Sequence, residues 1–300
     1  MCNFVHLNLD NSDTMSEDQK NVYLSALFAG AGAALAVDLA LFPLDTLTTR
    51  LQSARGFFKT GGFKHVYKGI GPQTIGSAPE AALFFLTYES FKNYVEPRVD
   101  SDVLPLVYMT AATAGEIVAC LIGAPVEVVK QRRQTSTNIK HTSMRIFMHA
   151  VKSEGLIKGL YRGYGSMLTQ HIPFSLIQFP VLEYLKKVYR VSFKNDVPLD
   201  SWDVANCGAV AAAFAAITTT PLDVAKTRIM LANKKLATDM TIRTVLKQLY
   251  YEKGFKGLFA GFTPRVMLAT VGSYVFFGTY DLSKNFCNDY LLNRDLSVNW

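Results

Sequence analysis

Long apolar stretches recur along the chain, and each is interrupted by an acid. Val22–Phe42, Leu104–Pro125 and Trp202–Pro221 have about the length of a membrane-spanning helix, yet each contains Asp or Glu. Polar residues in such helices usually face a bundle interior or a water-filled cavity rather than lipid. The competing reading of this pattern is a large soluble helical protein. Extending each apolar stretch to its next breaker predicts six long helices, at roughly 22–52, 72–96, 104–134, 165–190, 201–231 and 262–289. An even number of spans puts both termini on one side. Runs of small residues, such as Gly30–Ala34, Ala111–Gly115 and Gly208–Ala213, let such helices pack closely.

The helices come in three similar pairs. "FPLDTLTTRLQ" (Phe42–Gln52) recurs as "APVEVVKQRRQ" (Ala124–Gln134) and "TPLDVAKTRIM" (Thr220–Met230). A second element follows in each copy: "YESFK" (Tyr88–Lys92), "LEYLK" (Leu182–Lys186) and "YDLSK" (Tyr280–Lys284). Between the two lie "GGFKHVYKG" (Gly61–Gly69), "EGLIKGLYRG" (Glu154–Gly163) and "EKGFKGLFAG" (Glu252–Gly261). Three ordered elements in three copies define an internal repeat. The expected organisation is a disordered tail over 1–20 and repeats over 21–97, 102–192 and 199–291. Each repeat reads as a long helix, a linker with a short helix, and a second long helix. The short helices are predicted at Ser143–Lys152 and Ile242–Tyr251; the first linker is shorter and glycine-rich. Pro43, Pro125 and Pro221 sit near the C-terminal ends of the odd-numbered helices. Each removes an internal hydrogen bond and bends its helix, which draws three helix ends together.

Charge placement then gives the repeat a purpose. Glu127 and Lys130 are three residues apart and project toward one face. A carboxylate buried in a bundle is tolerable when a neighbouring helix supplies a cation. Three such helices in a ring pair Asp45 with Lys130 and Glu127 with Lys226; the closing pair joins Asp223 to position 48, where this chain has Thr48. The alternative is three ordinary ion pairs on helix surfaces. The even-numbered helices offer a second ring: Glu89 with Lys186, Glu183 with Lys284, and Asp281 with Lys92. Two rings at opposite ends of one bundle suggest two gates around a central cavity, opened alternately.

Composition adds little that is positive and excludes much. The net charge is +7 over 300 residues, with basic residues spread along loops. That suits anionic lipid headgroups, cardiolipin among them, and not a nucleic acid. Cys2, Cys120, Cys207 and Cys287 are far apart without metal-ligand spacing, so small buried side chains are expected, with no metal. The first 20 residues are acidic, unlike a secretory or arginine-rich targeting leader. No Ser/His/Asp set or phosphate-binding loop stands in a suitable context, so neither an enzyme nor a cofactor is expected.

Over residues 21–290 the motifs Pro-x-[Asp/Glu]-x-x-[Lys/Arg], three times, each followed by [Tyr/Phe]-[Asp/Glu]-x-x-[Lys/Arg], resemble the mitochondrial carrier family. The resemblance implies an all-α membrane protein of the mitochondrial inner membrane: six transmembrane helices in three pseudo-threefold repeats around a central cavity, with short matrix helices, acting as a monomer. The odd-helix ring becomes the matrix gate and the even-helix ring the cytosolic gate. It also implies a glutamine brace beneath the matrix pairs, matched by Gln52 and Gln134; the third repeat has Met230 there. Leu182 departs from the aromatic of the cytosolic motif.

Candidate solute contacts follow from register and from resemblance. Asp38 lies two turns before Asp45, and Glu116 about three turns before Glu127, so both share the cavity-facing side. Either could serve a cationic ligand or pair with a lysine or a helix backbone. Within the family, "GFFKTGGFKHVYKGIGPQTIGSAPEAALFFLTYE", "AGEIVACLIGAPVEVVKQRRQ", "HIPFSLIQFPVLEYLKK" and "TTTPLDVAKTRIMLA" resemble the S-adenosylmethionine-carrying subgroup. This implies import of S-adenosylmethionine in exchange for S-adenosylhomocysteine, with Glu80 near the substrate and Gly76 allowing its close approach. Gln170 and His171 depart from the arginine and glutamate of that subgroup, and Gly123 from a common arginine. Glutamine cannot replace arginine's charge. His171 offers either a pH-dependent charge or a local structural role. Arg265 offers a cation for substrate or a packing contact, and Phe84, Phe85 and Tyr274 an adenine stack or plain core. Open alternatives are another amino-acid or nucleotide-type solute, or a carrier-derived membrane protein that binds partners without transporting. With Thr48, Asp223 loses its ion partner; Thr48 or Gln52 could still donate a neutral hydrogen bond. Arg50, about 200° around the helix from position 48, is not expected to substitute. The matrix gate is therefore expected to be weak, and Thr48→Lys to strengthen it.

Overall fold

A computed structural model describes residues 39–99, 103–138, 142–193, 199–232 and 240–275. Asp38, Asp281, Lys284 and the N-terminal tail lie outside the described residues. Among the described residues the regular structure is helical: α1 (39–52), α2 (Ile70–Val95), α3 (Leu104–Gln134), α4 (Ser143–His149), α5 (Tyr164–Phe193), α6 (Ser201–Leu231), α7 (Ile242–Leu258) and α8 (262–275). The predicted long helices match where they are described. The linker helices differ in detail. α4 passes at Ala150 into two π-helical turns, and α7 runs through a break at Gly254, where φ is 60°. The first linker holds one 3-10 turn, Phe58–Thr60.

Local chemistry sets the helix starts. Asp200 and Asp203 form a reciprocal capping box at α6, and Thr142 and Thr241 accept from the backbone N–H of Arg145 and Thr244. Each side chain satisfies an N–H that has no partner within its helix. Pro125 and Pro221 lie inside α3 and α6, and Pro43 inside α1. By length and composition, 106–134 and 202–231 are apolar enough to cross a membrane.

The ring is closed by contacts that step from one repeat to the next. The glycine that ends each linker lies against the first long helix of the following repeat, α3, α6 and α1 in turn. A Cβ on Gly69 would come within 2.9 Å of the Lys130 carbonyl, one on Gly163 within 2.4 Å of Met230 Cε, and one on Gly261 within 3.2 Å of the Thr48 carbonyl. Repeat one thus packs on repeat two, two on three, and three back on one. Ala211, Ala212, Ala215 and Ala216 form a buried seam on α6, which packs along α5.

Gly76 belongs to this packing and not to ligand approach, which corrects the sequence expectation. It is buried on α2, and a Cβ there would lie 2.5 Å from Val126 Cγ2 of α3. Even alanine must push the helices apart, at a cost of about 1–3 kcal/mol. Gly76→Ala is therefore expected to lower the melting temperature in detergent by several degrees. Val126→Ala in the same chain is expected to recover most of that loss. No recovery would place the strain elsewhere.

Candidate functional site

All six long helices contribute to one polar cavity of about 450 Å³. At the level of the three motif prolines it is lined by Asp45, Glu127 and Asp223 and by the cations Lys130, Lys226 and Arg265. Lys130 Nζ lies 3.4 Å from Asp45 and 2.6 Å from Glu127. Lys226 Nζ lies 3.9 Å from Glu127 and 3.8 Å from Asp223. Both cross-helix pairs expected from the repeat are thus formed, and each lysine is shared with the acid on its own helix.

Asp223 is not left without a cation, which corrects the reading from Thr48. Arg265 Nη1 of α8 lies 2.5 Å from Asp223 Oδ2, and Arg265 Nη2 donates to Thr219 Oγ1 at 2.9 Å. Gln52 Nε2 donates to the same carboxylate at 2.7 Å, and Gln52 Oε1 accepts from Thr227 Oγ1 at 2.6 Å. Thr48 turns inward and donates to the Leu44 carbonyl at 2.8 Å. Three acids face three cations, so the ring is charge-balanced without a lysine at position 48. Arg265, one of the candidate solute contacts, is thereby engaged by Asp223. Sequence spacing missed this because Arg265 lies outside the repeated motif.

Glutamines complete the ring. Gln134 Nε2 donates to Asp45 at 2.8 Å, as Gln52 does to Asp223. Gln131, which the motif did not single out, donates to Glu127 at 2.8 Å. Met230 instead lies in an apolar cluster with Cys120, Ala124, Val128 and Met167.

Two residues beyond each lysine position, and so on another face of the helix, stands an arginine. Arg132 makes a bidentate pair with Glu154 at 3.0 Å, and Arg228 lies 3.8 Å from Glu252. Both acids belong to the linkers. The first linker has glycine where the others begin with glutamate, and Arg50 meets carbonyls instead: Gln134 (3.0 Å), Gly62 (2.6 Å), Lys64 (2.7 Å) and His65 (3.2 Å). His65 adopts φ 52°, an uncommon value for a residue with a side chain, as the linker wraps around the guanidinium.

The even-helix ring is not closed among the described residues. Glu89 pairs with Lys92 (3.6 Å) and Glu183 with Lys186 (2.9 Å), each within its own helix. The expected cross-helix pair Glu89–Lys186 is not formed. A partner three residues along the same helix is within easy reach when the neighbouring helix is not. The other two expected pairs involve Asp281 and Lys284, outside the described residues.

Higher in the cavity, Glu80 of α2 faces Gly123 of α3. A Cβ at 123 would lie 2.3 Å from Glu80 Oε1, so the missing side chain is what makes room for this carboxylate. Glu116 contacts His171 Nδ1 of α5 and accepts from Cys120 Sγ at 3.5 Å. Gln170 Oε1 accepts from Lys226 Nζ at 3.4 Å. Phe84 stacks on Tyr88 and packs over Gly115, with Phe85 edge-on to it, while Tyr274 packs beside Trp202. These three belong to helix packing. Among the described residues the aromatic lining the cavity is Phe174, which no sequence signal singled out.

Long helices in three repeats, a polar cavity between them and a charged ring at one end define a membrane carrier. The chain belongs to the mitochondrial carrier family: the family model described as "Mitochondrial carrier protein" matches residues 19–98, 101–193 and 198–291, once per repeat. It is accordingly an all-α, multi-pass protein of the mitochondrial inner membrane, in a family of transporters. It is 49% identical over 267 residues to the "S-adenosylmethionine mitochondrial carrier protein homolog" of Drosophila melanogaster, covering 87% of this chain and 92% of that protein. It is 48% identical to the "Mitochondrial S-adenosylmethionine carrier protein" of Danio rerio, covering 86% and 96%, and 46% identical to that of Mus musculus, covering 88% and 94%.

Proposed function

We propose that this chain carries S-adenosylmethionine into the matrix in exchange for S-adenosylhomocysteine, by alternating access around the central cavity. The observation that carries the reading is the pair of cavity carboxylates, Glu80 and Glu116, with space opened beside the first by Gly123. S-adenosylmethionine presents a sulfonium and an ammonium against a single carboxylate. Two acids suit its positive charges, Phe174 offers a face to the adenine, and Lys226 a cation to the carboxylate. Gln170 has no charge of its own, but its carbonyl oxygen holds Lys226 at the cavity wall. The names of the relatives support the same solute.

The Asp45–Lys130, Glu127–Lys226 and Asp223–Arg265 pairs act as the matrix gate, braced by Gln52 and Gln134. Glu89, Lys92, Glu183, Lys186, Asp281 and Lys284 act as the cytosolic gate, and Pro43, Pro125 and Pro221 as the bends that bring the matrix ends together. The matrix pairs are formed, while Glu89 and Glu183, the cytosolic acids among the described residues, pair within their own helices, and this arrangement supports a conformation that admits solute from the cytosolic side. Breaking paired buried charges is costly. A solute that engages Lys226 offsets part of that cost, so the transition proceeds with solute bound, which makes the carrier an exchanger.

Uptake of labelled S-adenosylmethionine into liposomes carrying the purified protein tests this. Saturable uptake that depends on internal S-adenosylhomocysteine is expected. Correctly inserted protein that takes up another amino-acid or nucleotide-type solute, or no solute at all, would reject the assignment.

A further inference from the structure

We propose that Glu116, Cys120 and His171 form a site for a borderline transition-metal ion of the zinc class, and that an ion bound there blocks transport. One ligand atom from each residue lies within 4.8 Å of the others. Glu116 and Cys120 are one turn apart on α3 and share a face; His171 meets them from α5. Cys120 Sγ stands 3.5 Å from Glu116 Oε1, and His171 Nδ1 contacts the same oxygen. Zinc bonds of about 2.0–2.3 Å in tetrahedral geometry hold neighbouring ligand atoms roughly 3.2–3.8 Å apart. The three side chains therefore need only small rotations to exchange hydrogen bonds for metal bonds.

The donor set fixes the chemical class. Thiolate, imidazole and carboxylate together favour zinc or cobalt(II) over magnesium or calcium, which take oxygen ligands. Glu116 and His171 line the cavity while Cys120 is buried behind them, so a fourth position opens toward the cavity. On binding, the Cys120 thiol releases its proton to solvent as its sulfur bonds the metal. Neutral His171 and ionised Glu116 donate lone pairs, and nothing is oxidised or reduced. The bound ion would tie α3 to α5 and occupy the Glu116 carboxylate. Both effects oppose the passage of any solute, so the inference holds whichever solute is carried. Cys120 and His171 lie on the two different long helices of the second repeat, far apart in sequence, which is why cysteine spacing gave no sign of the site.

Cobalt(II) titration of the purified full-length chain, with Cys2, Cys207 and Cys287 replaced by serine, tests the site directly. One equivalent is expected to produce a near-ultraviolet thiolate-to-cobalt charge-transfer band, removed by excess ZnCl2. Cys120→Ser is expected to abolish the band, and His171→Ala to weaken binding by about tenfold or more. No band, or a band that survives Cys120→Ser, would overturn the assignment. Transport gives a second readout. ZnCl2 is expected to inhibit exchange by the unmodified chain, reversibly with a chelator. Cys120→Ser should keep its uninhibited rate and need about tenfold more zinc for the same inhibition. Equal zinc sensitivity in the two would overturn the proposal that this site is what blocks transport.

Discussion

Replacing Arg265 with glutamine is expected to destabilise the matrix-closed conformation by about 2–3 kcal/mol, less than the roughly 3–5 kcal/mol typical of removing one partner from a buried ion pair. The discount has two sources. Gln52 still donates to Asp223, and Lys226 Nζ remains 3.8 Å away. Water in the cavity also screens what is left. A shift of this size changes the balance of the two conformations by roughly 30–150-fold. Exchange should slow, and thermal stability should fall by several degrees. Thr48→Lys supplies the internal control. Position 48 lies one turn from Gln52 on α1, so a lysine there shares the face from which Gln52 reaches Asp223. In the unmodified chain it adds a fourth cation to a balanced ring, and little gain is expected. In Arg265→Gln it restores the balance, and most of the lost stability should return. The coupling between the two sites should reach about 1–3 kcal/mol in a double-mutant cycle. Purely additive effects would mean that Arg265 does not close the ring.

Arg50→Ala is expected to produce the other large loss. The guanidinium is buried and bonded to four backbone carbonyls, and it ties the first linker to the end of α3. Removing it leaves those acceptors without their donor and opens a void among them. Each buried polar group left unsatisfied costs about 1–3 kcal/mol, reduced where the exposed linker can reach water. A total loss of about 3–5 kcal/mol is expected, beyond that of Arg228→Ala, whose acid partner Glu252 is half-exposed. Thermal unfolding in detergent, with cardiolipin held constant, compares the two. Equal losses would mean that the carbonyl cradle adds nothing to an ordinary ion pair.

Arg50 also shows how far the sequence could be read. The arginine recurs seven residues after each motif proline, and its glutamate partner begins two of the three linkers. That the first linker lacks the glutamate was visible; that backbone carbonyls would replace it was not, because carbonyls have no letter in a sequence. The helices, the repeat and the pairs Asp45–Lys130 and Glu127–Lys226 were legible, since each rests on spacing within a repeated segment. Arg265 and Phe174 were harder, because their partners and neighbours come from helices distant in sequence and no repeat marks them. Gly76 was seen as a place of close approach, but only the packing of α2 on α3 identifies Val126 as what approaches. Gly123 read simply as a missing arginine. The space it leaves for Glu80 becomes apparent only when α2 and α3 are side by side.

The passage of solute through the closed end of the ring can be tested with a lock across it. Gln52 and Thr227 touch there, from α1 and α6. Gln52→Cys and Thr227→Cys, in a chain whose four native cysteines are serine, allow that end to be cross-linked with a short thiol reagent cleaved by reduction. Exchange of labelled S-adenosylmethionine against internal S-adenosylhomocysteine is then measured before cross-linking, after it, and after reduction. Exchange should stop when the two helices are joined and return when they are released. Exchange that continues at the same rate in fully cross-linked protein would contradict a path that opens through this ring.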